Sequence, residues 1–142
     1  MTEEEHQIKE ILLRSKIIAV VGCSPDKYRT SNYIAQFLMK KGYRIIPVNP
    51  NAREILGERC YDSLQDIPEH ITIDIVNIFR NKKYAAETVK DVIERNHMQE
   101  KESAVWTQLD VSSPEAELLA EQNHIIYIRN KCIMVEWERL IL

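Results

Sequence analysis

The sequence predicts an α/β fold in which a parallel sheet is covered by helices on both faces. Short apolar runs rich in β-branched residues recur along the chain, and amphipathic stretches with helical spacing lie between them. The connections between these segments are short, which is typical of repeated βαβ units. We therefore expect a Rossmann-like, doubly wound parallel sheet of about five strands in the order 3-2-1-4-5, formed by one domain over residues 1–142.

The individual elements follow from periodicity and from residues that end helices. Glu3 to Leu13 has an amphipathic helical pattern, and Gly42 suits the left-handed position just past a helix end. The predicted strands are Ile17–Val21, Tyr43–Val48, Ile71–Phe79, Ser103–Trp106 and Ile125–Ile128. The predicted helices between them are Ser31–Lys41, Lys82–His97 and one that starts at Pro114, and Lys131–Leu142 has helical spacing that closes the core. Between Asn51 and Pro68 the pattern is weak, and we predict only a turn at Leu56-Gly57 and a helical turn near Ser63.

Composition excludes several classes of protein. The net charge is −3, with 29% charged and 44% hydrophobic residues, so a general nucleic-acid surface is not expected. The N-terminus is acidic and unlike a signal peptide, and no apolar run reaches membrane-spanning length, so we expect a cytoplasmic protein without a membrane partner. The three cysteines and four histidines are scattered, which argues against a zinc site and against a disulfide framework.

The stretch from Ile17 to Ser31 is the strongest functional signal. A buried strand ends at Gly22, small residues follow at Cys23 and Ser24, and Arg29 and Ser31 precede or open a helix. A tight turn that leads into a helix N-terminus leaves backbone N–H groups free for an anion, usually a phosphate. This stretch therefore predicts a phosphate-binding turn.

The predicted strand order brings distant segments to this turn. Ligands of doubly wound folds bind outside the carboxyl ends of the strands, where the strand order reverses. We place that point between strands one and four, whose ends are Gly22-Cys23-Ser24 and Trp106-Thr107-Gln108. Asn49 and Phe79-Arg80, at the ends of strands two and three, are expected to join them.

NAD is not favoured as the ligand. Its usual site needs G-x-G-x-x-G and an acidic residue about twenty positions later. Here positions 24 and 27 are Ser and Lys, and strand two ends in Val48-Asn49-Pro50. A ligand with a phosphate at its ribose end is still compatible, because Arg53 follows this turn and could meet that phosphate.

Several motifs together resemble the small single-domain coenzyme A-binding proteins, which are similar to the CoA-binding domain of the succinyl-CoA synthetase α subunit. The resemblance covers the chain from about Lys16 to Glu136 in order and spacing. Its motifs are Gly22-x-Ser24, Arg29-x-Ser31, Gly42-Tyr43, Pro47-Val48-Asn49-Pro50, Leu56-Gly57, Tyr61-x-Ser63-Leu64, Ile67-Pro68, Val76-x-x-Phe79-Arg80, Trp106-x-Gln108 and Cys132-Ile133.

The resemblance implies coenzyme A (CoA) or an acyl-CoA as the ligand and gives a role to each motif. Ser24 and the N–H groups from Cys23 to Ser31, after Gly22, would hold the diphosphate, with Arg29 as the charge partner. The resemblance implies that the adenosine is bracketed by Asn49, Pro50 and Arg53, that the adenine or the start of the pantetheine arm contacts Val48, Phe79 and Arg80, and that Trp106 and Gln108 flank that arm. The chain has Asn51-Ala52-Arg53 in place of the synthetase's glycine-rich basic turn and lacks its phosphohistidine domain, so acyl-CoA synthesis is not implied.

Three functional hypotheses follow. The first is a binding module without catalysis of its own, since no acid–base pair or activated nucleophile emerges. The second is an NADP- or CoA-dependent enzyme in which Cys23 or Cys132 takes part; Cys23 could be reactive beside a helix N-terminus, or only a small residue that fits a tight turn. The third is a subunit that senses acyl-CoA and signals to a protein partner. A homodimer is also possible, with Leu140-Ile141-Leu142 as its contact.

Overall fold

The computed structural model describes residues 1–141 and contains a central sheet of five parallel strands. These strands are β1 (Ile17–Val21), β2 (Arg44–Val48), β5 (Ile75–Ile78), β6 (Ala104–Thr107) and β7 (Tyr127–Ile128), and a separate hairpin consists of β3 (Glu54–Ile55) and β4 (Glu58–Arg59). Side by side, the order in the central sheet is β2-β1-β5-β6-β7. The predicted Rossmann-like, doubly wound parallel sheet is confirmed.

Helices cover both faces of the sheet because adjacent residues of each strand point in opposite directions. The helices are α1 (Glu3–Arg14), α2 (Thr30–Lys40), α3 (Ala85–Asn96), α4 (Pro114–Gln122) and α5 (Ile133–Leu140), and short 3₁₀ turns cover Leu64–Asp66 and Lys82–Tyr84. In β1, Ile18 and Val20 pack with α1, α2 and α5, whereas Ala19 and Val21 pack with α3 and α4. Each strand is therefore buried on both sides, which explains the continuous apolar runs in the sequence.

The strand order is of the predicted 3-2-1-4-5 type, but the segment predicted as the third strand takes a different place. The place of strand three, beside β2 on the side away from β1, is occupied only by Tyr61, which makes a single parallel bridge with Val48 at the end of β2. The predicted third strand is β5, and it pairs with β1, with Ile75 opposite Ile18. The connection from Asn49 to Asp74 is long enough to cross from the β2 edge to the far side of β1. The strand order consequently reverses between β1 and β5, not between β1 and β6 as we expected.

The strand predicted over Ile71–Phe79 begins only at Ile75 because side chains occupy the preceding backbone groups. The Gln99 side-chain amide accepts from the N–H of Ile73 at 3.0 Å and donates to its carbonyl at 2.9 Å. The Ser103 hydroxyl donates to the same carbonyl at 2.7 Å. These bonds replace the ladder that a neighbouring strand would provide.

The region without a predicted strand contains the β3–β4 hairpin. Its turn is the one predicted at Leu56-Gly57, where both residues have positive φ angles of 55° and 76°. Two consecutive positive φ angles are the geometry of a tight hairpin turn. Two-residue strands are too short to give a periodic signal, so the hairpin could not be found by pattern.

A fully buried arginine fixes the loop between this hairpin and β5. Arg95, in the last turn of α3, is 0% exposed, and its guanidinium donates to the carbonyl oxygens of four loop residues. These acceptors are Leu64, Ile67, Pro68 and Ile71. Arg95 therefore anchors the segment that carries Ser63 and Leu64 to α3.

The C-terminal segment packs against the core. Leu140 is buried in the cluster formed by α1, α2 and one face of the sheet, and Ile141 packs against that cluster. Leu142, the last residue of the predicted dimer contact, lies outside the described residues. No helix within residues 1–141 has the length and apolar character needed to cross a membrane.

Candidate ligand-binding site

A cleft of about 480 Å³ opens at the carboxyl edge of the sheet, where the strand order reverses. Its floor consists of Val21 and Gly22 at the end of β1 and Val48 at the end of β2. The other lining residues are Asn49, Pro50, Asn51, Asp62, Ser63, Leu64, Arg80, Tyr84, Glu87, Thr88 and Asp91. A volume of this size suits a nucleoside or another small organic group.

Gly22 allows the segments after β1 and β5 to approach each other closely. Its φ of +84° is one that residues with a side chain rarely adopt. A Cβ atom at this position would lie 3.2 Å from both Cγ and N of Arg80. The glycine in the predicted phosphate-binding turn is thus required by both conformation and space.

The turn after Gly22 is an ordered set of local hydrogen bonds. The Ser24 N–H donates to the Ser31 hydroxyl at 2.9 Å, and the Asp26 N–H donates to the Ser24 hydroxyl at 3.1 Å. Asp26 then accepts from the N–H groups of Tyr28 and Arg29. These bonds occupy several of the donors that the resemblance assigns to a diphosphate.

The remaining donors of this turn lie at the start of α2. Within residues 1–141 no acceptor bonds to the N–H groups of Cys23, Lys27, Thr30 and Ser31. The N-cap residue, Arg29, makes no side-chain cap, and the first turn of α2 has no acidic residue. The start of this helix therefore presents unpaired N–H groups and the positive end of the helix dipole.

Asn49 holds the β2 end of the cleft to the β1 turn. Its side chain donates to the Cys23 carbonyl at 2.9 Å and accepts from the Asn51 N–H at 2.9 Å. The Asn49 N–H donates to Tyr61, which extends the bridge beside β2. Both polar ends of this amide are used within the protein, so Asn49 shapes the cleft wall.

Arg80 is the cation of the cleft. Its guanidinium lies over the Tyr84 ring, 4.4 Å from the ring centroid, and donates to the Thr88 hydroxyl at 3.3 Å. A Glu87 carboxylate oxygen lies 4.0 Å away. A half-buried guanidinium stacked on an aromatic ring is preorganised to bind an anion.

Within residues 1–141, the cleft lining contains three carboxylates, those of Asp62, Glu87 and Asp91, and one cation, Arg80. Burial raises the pKa of Asp91 above its ordinary value, and the neighbouring Glu87 carboxylate raises it further, while Arg80 opposes the rise. The cleft is therefore acidic on its α3 side.

The structure brings five of the predicted site residues together on the cleft: Gly22, Val48, Asn49, Pro50 and Arg80. Cys23, Ser24, Arg29 and Ser31 form the adjoining turn. Arg53 is exposed at the start of the β3–β4 hairpin and does not line the cleft.

Three predicted residues face the protein interior instead. Phe79 packs against the core on the α2 side of the sheet. Trp106 is 0% exposed, and its indole N–H donates to the Lys131 carbonyl at 2.8 Å. The Gln108 side-chain oxygen accepts from the Asn77 amide at 3.1 Å and from the first N–H of α5, that of Ile133, at 3.0 Å. Gln108 thus connects β5, β6 and α5.

Four of the lining residues that sequence analysis missed form one polar stripe. The spacing i, i+3, i+4, i+7 places these residues on one face of α3 and its N-cap. They are Tyr84, which is the N-cap residue, Glu87, Thr88 and Asp91. This stripe begins just after the end of β5 and could have been found by its spacing. Asp62 and Ser63 had no such signal, because Arg95 and the Tyr61 bridge bring them to the cleft.

Cys23 has the properties of a packing residue. It is 0% exposed, and burial, with a smaller contribution from Cys60, raises the pKa of its thiol to about 12. A thiol in that environment stays protonated at neutral pH. Within residues 1–141, no group of three or more histidine, cysteine or acidic residues is arranged to hold a metal ion.

Comparison with known proteins gives the family of the chain. The model of a family described as "CoA binding domain" matches residues 16–138, which is most of the sequence. The chain belongs to this CoA-binding domain family. The matched range includes every element that lines the cleft.

Two similar proteins have the same size as this CoA-binding domain, and one is much larger. The protein YneT of Bacillus subtilis is 36% identical over 129 residues, covering 91% of this chain and 90% of YneT. A solved structure of a hypothetical protein from Pyrococcus horikoshii has a TM-score of 0.89 at 36% identity and covers 100% of this chain and 94% of that one. The ADP-forming acetate–CoA ligase I of Archaeoglobus fulgidus is 39% identical over 67 residues, which are 47% of this chain and only 10% of the ligase.

Proposed function

We propose that this CoA-binding domain binds CoA or an acyl-CoA at the cleft and turn described above, as a module without catalysis of its own. The observation that carries the proposal is the contact between Gly22 and Arg80 at the point of strand-order reversal. At this contact the Arg80 side chain passes Gly22, the residue before the unpaired N–H of Cys23. An N–H cluster with an adjacent arginine is suited to a diphosphate.

The nucleoside half of the ligand fits the cleft. Val21, Val48 and Leu64 offer apolar surface, and the Tyr84 ring lies on the opposite wall. The Asp62, Glu87 and Asp91 carboxylates accept hydrogen bonds, which suits the amino group of an adenine and the hydroxyls of a ribose. The end of β2 carries Asn49 in place of the acidic residue that NAD sites use.

A role without catalysis agrees with the environment of Cys23, whose buried thiol has its pKa raised to about 12. A protein partner, a homodimer and a cytoplasmic location remain predictions.

Titration calorimetry with CoA, 3′-dephospho-CoA, NAD and NADP tests the proposal. We expect the wild-type protein to bind CoA, with NAD binding undetectable at the same concentrations. Arg80→Gln should weaken CoA binding by about tenfold, the typical effect of losing one charge-assisted contact. Arg129→Gln is the matched control, since Arg129 pairs with Glu117 at the other side of the sheet. Binding of NAD without CoA would contradict the proposal.

A further inference from the structure

Arg80 is already engaged in the ligand-free protein, and its partners all come from the segment that follows it. Tyr84 supports the flat face of the guanidinium, Thr88 accepts one of its N–H groups at 3.3 Å, and Glu87 supplies an opposite charge at 4.0 Å. The Thr88 hydroxyl is itself fixed, since it donates to the Tyr84 carbonyl at 2.9 Å. Of the three partners, only Glu87 is an anion; the Asp91 carboxylate acts on Arg80 from beyond 4.0 Å, so Glu87 is the carboxylate placed to compete with a phosphate.

Arg80 also lies at the diphosphate end of the proposed site. Its Cγ atom lies 3.2 Å from the position that a Gly22 Cβ would occupy, and Gly22 is the first residue of the turn that leads into α2. The proposed diphosphate, held at the unpaired Cys23 N–H next to Gly22, would come within reach of the guanidinium that now lies 4.0 Å from Glu87. The Arg80 guanidinium cannot pair closely with the Glu87 carboxylate and with the diphosphate at the same time.

We propose that Glu87 is an intramolecular competitor of the ligand's diphosphate for Arg80, and that it thereby lowers the affinity of the site. This inference rests on the proposed function, because it assumes a phosphorylated ligand at the cleft. When the diphosphate binds, the guanidinium turns toward it and the Glu87 carboxylate returns to water.

The size of the effect follows from exposure. The side chains of Arg80 and Glu87 are 31% and 62% exposed, so solvent screens their attraction and Glu87 loses little when it is released. Removing the competing charge should therefore strengthen ligand binding by about twofold to fivefold.

The experiment is a double-mutant cycle by titration calorimetry with CoA. Glu87→Gln keeps the side-chain shape and should bind CoA about twofold to fivefold more tightly than the wild type. In an Arg80→Gln background the same substitution should give no gain, because the contested cation is gone. Glu121→Gln is the control for the change in net charge, since Glu121 is exposed at the C-terminal end of α4, at the opposite edge of the sheet.

The arms of the cycle separate this inference from its alternatives. An equal gain in the Arg80→Gln background would show that Glu87 only repels the ligand, and this would overturn the competition. 3′-dephospho-CoA should show the same gain as CoA, and a gain confined to CoA would overturn the assignment to the diphosphate. Binding by the wild type with no effect of Glu87→Gln would overturn this inference alone, whereas a wild type that binds no CoA would overturn the proposed function with it.

Discussion

Arg80 and Arg95 lie at the two ends of the α3 segment, and the same side chain serves opposite purposes there. Arg95 is fully buried and donates to four backbone carbonyls of one loop. Arg80 is half-buried, stacks on Tyr84 and faces a cleft with one hydroxyl and one distant carboxylate as its polar partners. A buried arginine whose N–H donors are all hydrogen-bonded stabilises the fold, whereas a half-exposed arginine with free N–H donors can exchange partners.

The difference has a physical cause. Transfer of a guanidinium from water to the protein interior is costly unless each donor finds an acceptor. Arg95 therefore cannot break its hydrogen bonds to the loop carbonyls without a large loss of folding free energy. The partners of Arg80 compete with water, and each contributes little net free energy. The comparison therefore predicts that mutations at Arg95 act on stability and mutations at Arg80 act on binding.

The largest expected effect is that of Arg95→Met on stability. The substitution leaves four loop carbonyls without their donor, and we expect the free energy of unfolding to fall by about 3 kcal/mol or more. Arg80→Gln should change it by less than about 1 kcal/mol. Urea unfolding of both variants measures the difference, and equal losses would refute the distinction between the two arginines.

A smaller effect is expected where Gly22 touches Arg80. Gly22→Ala and Gly42→Ala both force a side chain onto a positive φ, of +84° and +98°, but only the first brings the new Cβ within 3.2 Å of a neighbour. We expect Gly42→Ala to cost about 1 kcal/mol of stability and Gly22→Ala about 2 kcal/mol. Only Gly22→Ala should also weaken CoA binding, because it displaces Arg80. Equal behaviour of the two variants in unfolding and calorimetry would show that the close approach has no function.

The smallest effect is expected at Cys23, whose buried thiol lies in the turn beside the cleft. Cys23→Ala should leave CoA affinity unchanged and cost about 1 kcal/mol of stability for the small cavity. Loss of CoA affinity in Cys23→Ala would instead give the thiol a part in binding.

The pH dependence of stability tests the same thiol. Because folding raises the pKa of Cys23 from 9.0 to about 12, its stabilising effect is complete below about pH 9 and is lost between pH 9 and 12. Wild-type stability should therefore fall more steeply than that of Cys23→Ala as the pH rises through this range. The measurement is urea unfolding at a series of alkaline pH values, and parallel curves would contradict the burial of the thiol.

Much of the fold could be predicted because its signals are local. The five apolar runs became the five strands of the sheet, Gly22 and Leu56-Gly57 became turns with positive φ, and Pro114 opens α4. The matched family range, residues 16–138, agrees with the resemblance carried by the short motifs. The start of β5 was less predictable, since Gln99 and Ser103 occupy the backbone groups of Ile73 from a distant part of the chain.

The candidate site was predictable only in part. Gly22, Val48, Asn49, Pro50 and Arg80 follow strand ends, and in a parallel sheet all those ends share one edge, so the sequence placed them together. Trp106 and Gln108 also follow or end a strand, yet their side chains point into the core and to α5. Their direction depends on packing against Lys131 and Ile133, which no local pattern reports.

By itself, the sequence determined the alternation of strands and helices, the glycine turn after β1 and membership in a CoA-binding family. Periodicity, steric limits on φ and short motifs each involve only a few neighbouring residues, so they can be recognised in the sequence alone. Only the tertiary structure decided that β5 pairs with β1, that Arg95 donates to four loop carbonyls and that Arg80 lies beside Gly22 at the end of β1. These outcomes depend on contacts between segments that are distant in the sequence. The degree of burial at those contacts explains why Arg95 stabilises the fold, whereas Arg80 is free to bind a ligand.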